Sequence, residues 1–330
     1  MRAITYDRFG PATEVLNLDE VTLSDPGPGE VTVELAFSGV NPSDTKARAG
    51  TRPGVTAPPF PVVIPHSDGA GVITAIGDGV EPGRMGQRVW IWNGQWRRAF
   101  GTAATHITLP ATQAVALPEG VGFETGASLG IPGLTACHAV FGGGDVAGKT
   151  LLIQGGSGSV GHLAVQLARW GGATVISTSS ARNRGRCEKA GAAAALDHAA
   201  PDLAEQILEA NGGDPVDRIL EVEFGRNIET DAHVLAENGT IAAFGSQLQM
   251  STTLNFGPLL FKAATIDVIL VYLLPAPERS AAIARLHTAL TRGALTCPVA
   301  ETFELADTAN AHEAVERGGR DGAILIETTA

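Results

Sequence analysis

The stretch 149–168, KTLLIQGGSGSVGHLAVQLA, constrains what this chain can fold into more than any other part of it. An apolar run of strand length ends in a cluster of glycines. Immediately afterwards Val160, Leu163, Ala164, Leu167 and Ala168 fall at i, i+3, i+4, i+7 and i+8, which is one face of a helix. A strand that turns through glycine straight into an amphipathic helix is the first half of a βαβ unit, and repeated βαβ units build a parallel sheet.

The turn itself, Gly156-Ser157-Gly158-Ser159-Val160-Gly161, has the form G-x-G-x-x-G. In a chain with 41 glycines the pattern alone carries little weight. Its position between a buried-type strand and a helix gives it meaning. A pyrophosphate needs a tight turn, backbone without Cβ where it approaches, and free N–H groups at the positive end of a helix. The turn therefore predicts dinucleotide binding.

The alternation continues downstream. "GATVIST" (172–178), "VDRILEV" (216–222) and "GTIAAFG" (239–245) read as strands, "ARNRGRCEKAG" as a short helix and "RNIETDAHVLAEN" as another. "TIDVILVYLL" (265–274) is apolar on both faces, as in a covered strand, and a long helix is predicted from Pro277 to Arg292. Upstream, "VTVELAFSGV", "GAGVITAIG", "GQRVWIW" and "ATHITL" alternate with Pro- and Gly-rich turns, which suggests an irregular β-rich domain. With 330 residues, two domains are expected. The strand, helix and strand after Cys297 would have to return to the first. The expected division is 1–122 with 296–330, and 123–295.

Composition narrows the function classes. A net charge of −12 with no dense Lys/Arg block argues against nucleic acid or anionic lipid as a partner, while "RNRGR" at 182–186 can still hold a small anion. No apolar stretch approaches a membrane span, and "MRAITYDRFG" lacks the apolar core of a signal peptide, so a cytoplasmic protein is expected. Three widely spaced cysteines exclude a disulfide framework and a C-x-x-C zinc cluster.

The end of the second strand selects the dinucleotide. An NAD site normally places Asp or Glu there for the ribose hydroxyls, but "ISTSSARNRGR" has no acid from Ile176 to Arg186. Hydroxyls at Thr178, Ser179 and Ser180 and guanidinium groups at Arg182 and Arg184 suit a 2′-phosphate, so NADP(H) is predicted. The competing reading is a solvated basic helix start.

Taken together, "GVNPSDTKARAG" (39–50), "PHSDGAGVITAIGDGV" (65–80), "GQRVW" (86–90), "ASLGIPGLTA" (127–136) and "GGSGSVGHLAVQLA" (155–168) resemble the zinc-free medium-chain dehydrogenase/reductases of the quinone oxidoreductase (zeta-crystallin-like) group. The resemblance covers essentially the whole chain. It implies an α/β fold made of a GroES-like β-rich catalytic domain and a Rossmann domain with a doubly wound parallel sheet, an active site in the cleft between them, and a homodimer.

Zinc-dependent relatives carry Cys where this chain has Asn41 and Gly-His-Glu where it has His66-Ser67-Asp68. Aligned through the following "GAG", Ser67 takes the ligand histidine's place and His66 falls on the preceding glycine. A one-residue shift in extended chain turns a side chain to the opposite face, and Asn and Ser hold zinc poorly. No metal is expected. If relatives need that glycine for a positive φ, His66 bears some strain there.

Without a Lewis acid, hydride donation to an already electrophilic acceptor, a quinone or an enone, is the least demanding chemistry. Positioning plus one hydrogen bond to the oxygen that gains charge suffices. Asn41 is the candidate donor, to the acceptor or to the cofactor ribose. Asp44 is expected to hold the loop by hydrogen bonds, since "NPSD" is also a sound turn. Lys46 stands where relatives often carry Tyr and is the candidate replacement proton donor. The resemblance further implies cofactor contacts from Thr135, from Gly156 to Val160, from His198 beside the adenosine ribose, and from Phe244, Gly245 and Ser246 around the nicotinamide. Arg317 or Arg320 stands in for a basic residue of relatives near the C-terminus. Three of the four tryptophans lie in "WIWNGQWRRAFG" (90–101), which reads as an aromatic wall for the acceptor or as core packing.

Three functions remain open: NADPH-dependent quinone reduction, reduction of an activated C=C bond in a 2-alkenal, enone or enoyl thioester, and NADPH binding with little catalysis. The first is preferred.

Overall fold

The computed structural model describes residues 1–51 and 54–329. The chain forms two compact units, Met1–Ile131 together with Cys297 onward, and Pro132–Thr296. Among the described residues the first unit contains β1 (Arg2–Thr5), β2 (Asn17–Glu20), β3 (Glu30–Val40), β4 (Asp68–Ile76), β5 (Arg88–Ile91), β6 (His106–Pro110) and β7 (Ala114–Ala116). The second contains β8 (Thr150–Ile153), β9 (Thr174–Ser179), β10 (Ala194–Asp197), β11 (Val216–Glu221), β12 (Leu235–Ala243) and β13 (Thr265–Val268). The chain then returns to the first unit with β14 (Val299–Glu304) and β15 (Ala323–Glu327).

The first unit is built on a sheet ordered β14-β15-β3-β4-β5-β7, with β6 also paired to β3. All its pairs are antiparallel except β14 with β15. Val31, Val33, Leu35, Ile73, Val89, Ile91, Ile107 and Leu109 alternate inward and bury one core. A second core joins Ile4 and Ile64 to Ile324, Ile326, Ala311 and Val315, so the returning C-terminal segment completes this unit. Such burial is worth about 1.5–3 kcal/mol per large aliphatic side chain.

The second unit is a parallel sheet ordered β10-β9-β8-β11-β12-β13. The order runs outward one way from β8 through β9 and the other way from β11, which makes the β8/β11 boundary the switch point where doubly wound sheets bind ligands. The helix Ser159–Trp170 connects β8 to β9. Leu163, Ala164, Leu167 and Ala168 on its predicted inner face are buried, and Val160 at its start is half-buried.

Two sequence expectations are corrected. The segment 123–131, assigned from the sequence to the second unit, belongs to the first: a Cβ on Gly126 would lie 2.9 Å from that of Ala70, and the Ile131 N–H donates to Asp68. The run 265–274 is not one covered strand. It pairs with β12 from Thr265 to Val268, then turns through a 3-10 segment at Val271–Leu273, and Val268 is 79% exposed on the sheet edge.

Candidate active site

The first unit concentrates its polar burial where β3 meets the helix Pro42–Ala49. Asn41 is the extended N-cap residue, Pro42 opens the helix, and Asp44 stands at the third helical position. The Asn41 N–H donates to the Asp44 carboxylate at 2.8 Å, which closes a capping box. Gly50 ends the helix in the left-handed region, φ 71°, where a Cβ would strike the Phe9 ring at 2.3 Å. Lys46 is half-buried on the same helix.

This cap fixes the Asn41 side chain for a second contact. Its Nδ2 donates to Asp68 Oδ2 at 2.8 Å, and the Ile131 N–H donates to both Asp68 oxygens at 2.9 Å. Asp68 is fully buried at the start of β4. A Cβ on Gly130 would sit 2.1 Å from its Oδ1, so glycine there is what lets the carboxylate approach. Burial pushes the Asp68 pKa well above the usual carboxylate range, the Ile131 N–H opposes this, the Asp44 charge adds to it, and the Asn41 amide opposes it. Asp68 was not among the residues predicted from the sequence to act, although it is the last of the aligned triple His66-Ser67-Asp68.

His66 has φ 75°, the conformation in which a glycine is unstrained. Both its ring nitrogens are engaged, Nδ1 with Ser38 Oγ at 2.9 Å and Nε2 with His312 Nε2 at 2.8 Å. Burial lowers its pKa to about 3, and His312 is also held well below the usual value by burial and by the neighbouring His66 and Arg48. Trp90 is wholly buried in β5, whereas Trp92 and Trp96 are half-buried, with Arg97 stacked 5.4 Å over Trp96.

In the second unit the glycines have separable duties. The residue with positive φ is Gly155, at 71°, one position before the motif. A Cβ on Gly156 would fall 1.8 Å from Ser177 Oγ, and one on Gly161 would fall 2.3 Å from the Gly155 carbonyl oxygen. Gly158 caps the helix that Ser159 and Val160 begin, with Ser157 half-buried in the turn. The first-turn N–H groups at this end are the donors a phosphate would use.

Beneath the turn lies a network absent from the sequence predictions. The Gly155 N–H donates to Thr178 Oγ1 at 3.2 Å, and that hydroxyl donates to Gln154 Oε1 at 2.6 Å. Gln154 Nε2 then donates to Asp231 Oδ1 at 3.0 Å. Asp231 is paired with Glu221, and burial pushes both carboxyls up, each further raised by a neighbouring negative charge. Thr178 is thus committed to the protein interior, which corrects its assignment to the cofactor phosphate. Ser179 is buried and donates to the Ser180 carbonyl at 3.1 Å. Arg184 is exposed and anchored by its Nε, which donates to the Ala195 carbonyl at 2.6 Å and leaves the terminal nitrogens available.

Ser180, half-buried, and Arg182, exposed, remain on the short turn after β9. His198 is exposed beside them at the end of β10, its N–H donating to the Ser179 carbonyl at 2.9 Å. Thr135 is buried near the start of the helix Leu134–Phe141. Phe244 and Gly245 follow β12, and a Cβ on Gly245 would meet the Val222 carbonyl oxygen at 2.5 Å. Ser246 joins its loop to the helix Phe224–Val234: its hydroxyl accepts from the Gly225 N–H at 2.8 Å and donates to the Gln249 carbonyl at 2.5 Å. Arg317 is exposed at the end of the helix Thr308–Arg317, while Arg320 folds back to donate to the Val315 carbonyl.

A GroES-like unit made from both ends of the chain and a Rossmann unit with its glycine turn define the medium-chain dehydrogenase/reductase class. Residues 27–119 match the alcohol dehydrogenase GroES-like domain, and residues 159–288 match the zinc-binding dehydrogenase domain. The chain is 30% identical over 333 residues to the quinone oxidoreductase of Rattus norvegicus, an alignment that spans 99% of this chain and 97% of that one. The Escherichia coli quinone oxidoreductase crystallised with NADPH is similar with a TM-score of 0.86 at 27% identity, over 99% of this chain and 100% of that one. An NAD-dependent alcohol dehydrogenase is similar with a TM-score of 0.86 at 25% identity, over 99% and 100%. The protein belongs to the quinone oxidoreductase (zeta-crystallin-like) group of the medium-chain dehydrogenase/reductases and is an oxidoreductase.

Proposed function

We propose that this protein reduces a quinone with NADPH and uses no metal. The observation that carries the reading is the Asn41–Asp68 contact at 2.8 Å, which stands where zinc-dependent relatives place a metal ligand. Asn41 and Ser67 offer an amide and a hydroxyl, poor donors for zinc. Among the described residues no three His, Cys, Asp or Glu side chains converge as a metal set.

The amide nitrogen of Asn41 carries two hydrogens, one of which goes to Asp68. The other is the donor assigned to the quinone oxygen as it gains charge. One preorganised donor of this kind is worth about 10²–10³ in rate. NADPH, when bound, supplies the hydride, and the residues proposed to hold it are the glycine turn with Ser157 and Ser159, then Ser180, Arg182 and His198. Relatives span both cofactors, so similarity alone does not choose; the absence of an acid from Ile176 to Arg186 and the exposed Arg182 favour the 2′-phosphate.

Steady-state turnover with NADPH and NADH against a benzoquinone and a 2-alkenal, with metal analysis of the same preparation, tests the reading. Quinone turnover preferring NADPH, in metal-free protein, is expected. Turnover of the alkenal alone would shift the assignment to C=C reduction, and NADPH binding without turnover of any acceptor would remove the catalytic reading.

A cytoplasmic homodimer completes the proposal. Among the described residues the outer edge of β13 is unpaired, and Val268 on it with Leu270 and Leu273 just beyond are exposed, a surface that a second copy would cover. No helix among the described residues is long and apolar enough to cross a membrane. Sedimentation of a monomer at micromolar concentration would refute the dimer.

A further inference from the structure

The proposed function leaves the pair His66 and His312 unused, although it is among the most completely buried polar groups of the first unit. Counting hydrogens along its contacts assigns every proton. Thr102 Oγ1 donates to the Asp68 carbonyl at 2.6 Å, which uses its only hydrogen. The Ser38 hydroxyl has two acceptors in reach, Thr102 Oγ1 at 2.8 Å and the Asp68 carbonyl at 3.5 Å, and its one hydrogen goes to the nearer. His66 Nδ1, 2.9 Å from Ser38 Oγ, must then carry a hydrogen and donate it. A neutral imidazole has one N–H, so His66 Nε2 is bare and accepts from the His312 Nε2–H at 2.8 Å. The donors all point one way, from His312 through His66, Ser38 and Thr102 to the backbone of Asp68.

Asp68 is also the residue whose carboxylate holds Asn41. The same helix that carries His312, Thr308–Arg317, reaches Asn41 by a second route. Glu316 pairs with the buried Arg48 guanidinium, and Arg48 belongs to the helix that Asn41 caps. Arg48 Nη1 also donates to the Gly10 carbonyl.

We propose that His312 is a positioning residue, which acts through His66, Ser38 and Thr102 on Asp68 and so sets the orientation of the Asn41 carboxamide. It touches neither substrate nor cofactor in this role. The positive φ of His66 fits the same account, because the left-handed backbone at residue 66 is accompanied by hydrogen bonds on both nitrogens of its ring. The proposal rests on the assignment of Asn41 as the hydrogen-bond donor of the reaction.

Imidazole nitrogen NMR reads the arrangement independently of activity. The wild-type protein is expected to show His66 as the Nδ1–H tautomer and His312 as the Nε2–H tautomer, and the reverse pair of tautomers would overturn the proposal. His312→Leu should displace the Asn41 side-chain amide resonance and lower kcat by roughly tenfold while KM for NADPH stays within about twofold, because misplacement of a reacting group by a fraction of an ångström is costly. His312→Gln, which restores an N–H donor, should recover most of the loss. Thr102→Val cuts the chain without touching the histidines and should reproduce the kcat loss even if His312→Leu fails to fold. An unmoved Asn41 resonance with unchanged kcat, despite a lower Tm, would reduce the pair to a purely structural role. A wild-type protein that turns over no acceptor would instead break the functional reading, and the tautomers and the Asn41 resonance would still decide the positioning claim.

Discussion

The glycine turn of the second unit and the Asn41 site of the first solve the same problem by opposite means. In the second unit the glycine turn presents backbone N–H groups, and its side chains are removed so that the neighbouring strand and the turn itself can come close. In the first unit the Asn41 site presents a side chain, held by other side chains that have been buried at the cost of desolvation. A turn of the first kind is specified by a few adjacent residues. A site of the second kind is specified by partners scattered along the chain, for Asn41, Asp68 and Ile131 meet only after folding.

The sharpest way to break this contrast is to add a side chain to the turn. Gly161→Val places atoms where a single Cβ already lies 2.3 Å from the Gly155 carbonyl oxygen. Overpacking of this sort costs about 1–3 kcal/mol in stability, and NADPH affinity measured by fluorescence titration should fall by about a hundredfold or more. Retained affinity would show that the turn is not the phosphate site. Gly155, by contrast, is needed for its φ, and Gly155→Asn should be the mildest replacement there.

Removal of the side-chain donor is next in size. Asn41→Ala should lower kcat for the quinone by about 10²-fold with NADPH affinity little changed, since one donor aimed at developing charge is worth that much. A proportional loss in NADPH binding would move Asn41 from the acceptor to the cofactor ribose.

The buried histidine supplies a pH signature that the glycine turn cannot. The folded chain holds His66 at about 3 against an ordinary 6.5, so the unfolded chain takes up the proton first as pH falls. The stability present above pH 6.5 is therefore lost on acidification towards pH 3. Asn tolerates the left-handed backbone at this position, so His66→Asn removes the titration without requiring a new fold. Between pH 7 and 5 the urea-unfolding free energy of the wild type should fall by about 2 kcal/mol more than that of His66→Asn. Parallel pH profiles would mean that the ring is accessible to protons in the folded state.

The smallest effect belongs to the cofactor end of the turn. Arg182→Ala should raise KM for NADPH about tenfold, or about 1.4 kcal/mol, and leave KM for NADH unchanged. Thr178→Val, at a position whose hydroxyl lies under the turn, should weaken both cofactors equally.

That last pair of variants marks a boundary of sequence reading. Thr178, Ser179, Ser180, Arg182 and Arg184 are consecutive or nearly so, and all carry groups that suit a phosphate. Burial in β9 takes up Thr178 and Ser179, whereas Ser180, Arg182 and the terminal nitrogens of the exposed Arg184 remain free to serve. Ser246 is a similar case, since its hydroxyl is spent between Gly225 and Gln249. Composition shows which groups are present, and hydrogen-bond accounting shows which are already used.

What the sequence by itself determined is what depends on near neighbours and periodicity. The strand, glycine turn and helix of 149–168, the parallel sheet that follows, and the "NPSD" cap at Asn41 are local patterns whose physics acts over a few residues. What only the tertiary structure decided is everything that joins distant segments. Gln154 to Asp231, Asn41 to Asp68, and His66 to His312 across 246 positions are such contacts. A buried polar group needs a partner wherever the fold supplies one, and no spacing in the chain announces where that will be.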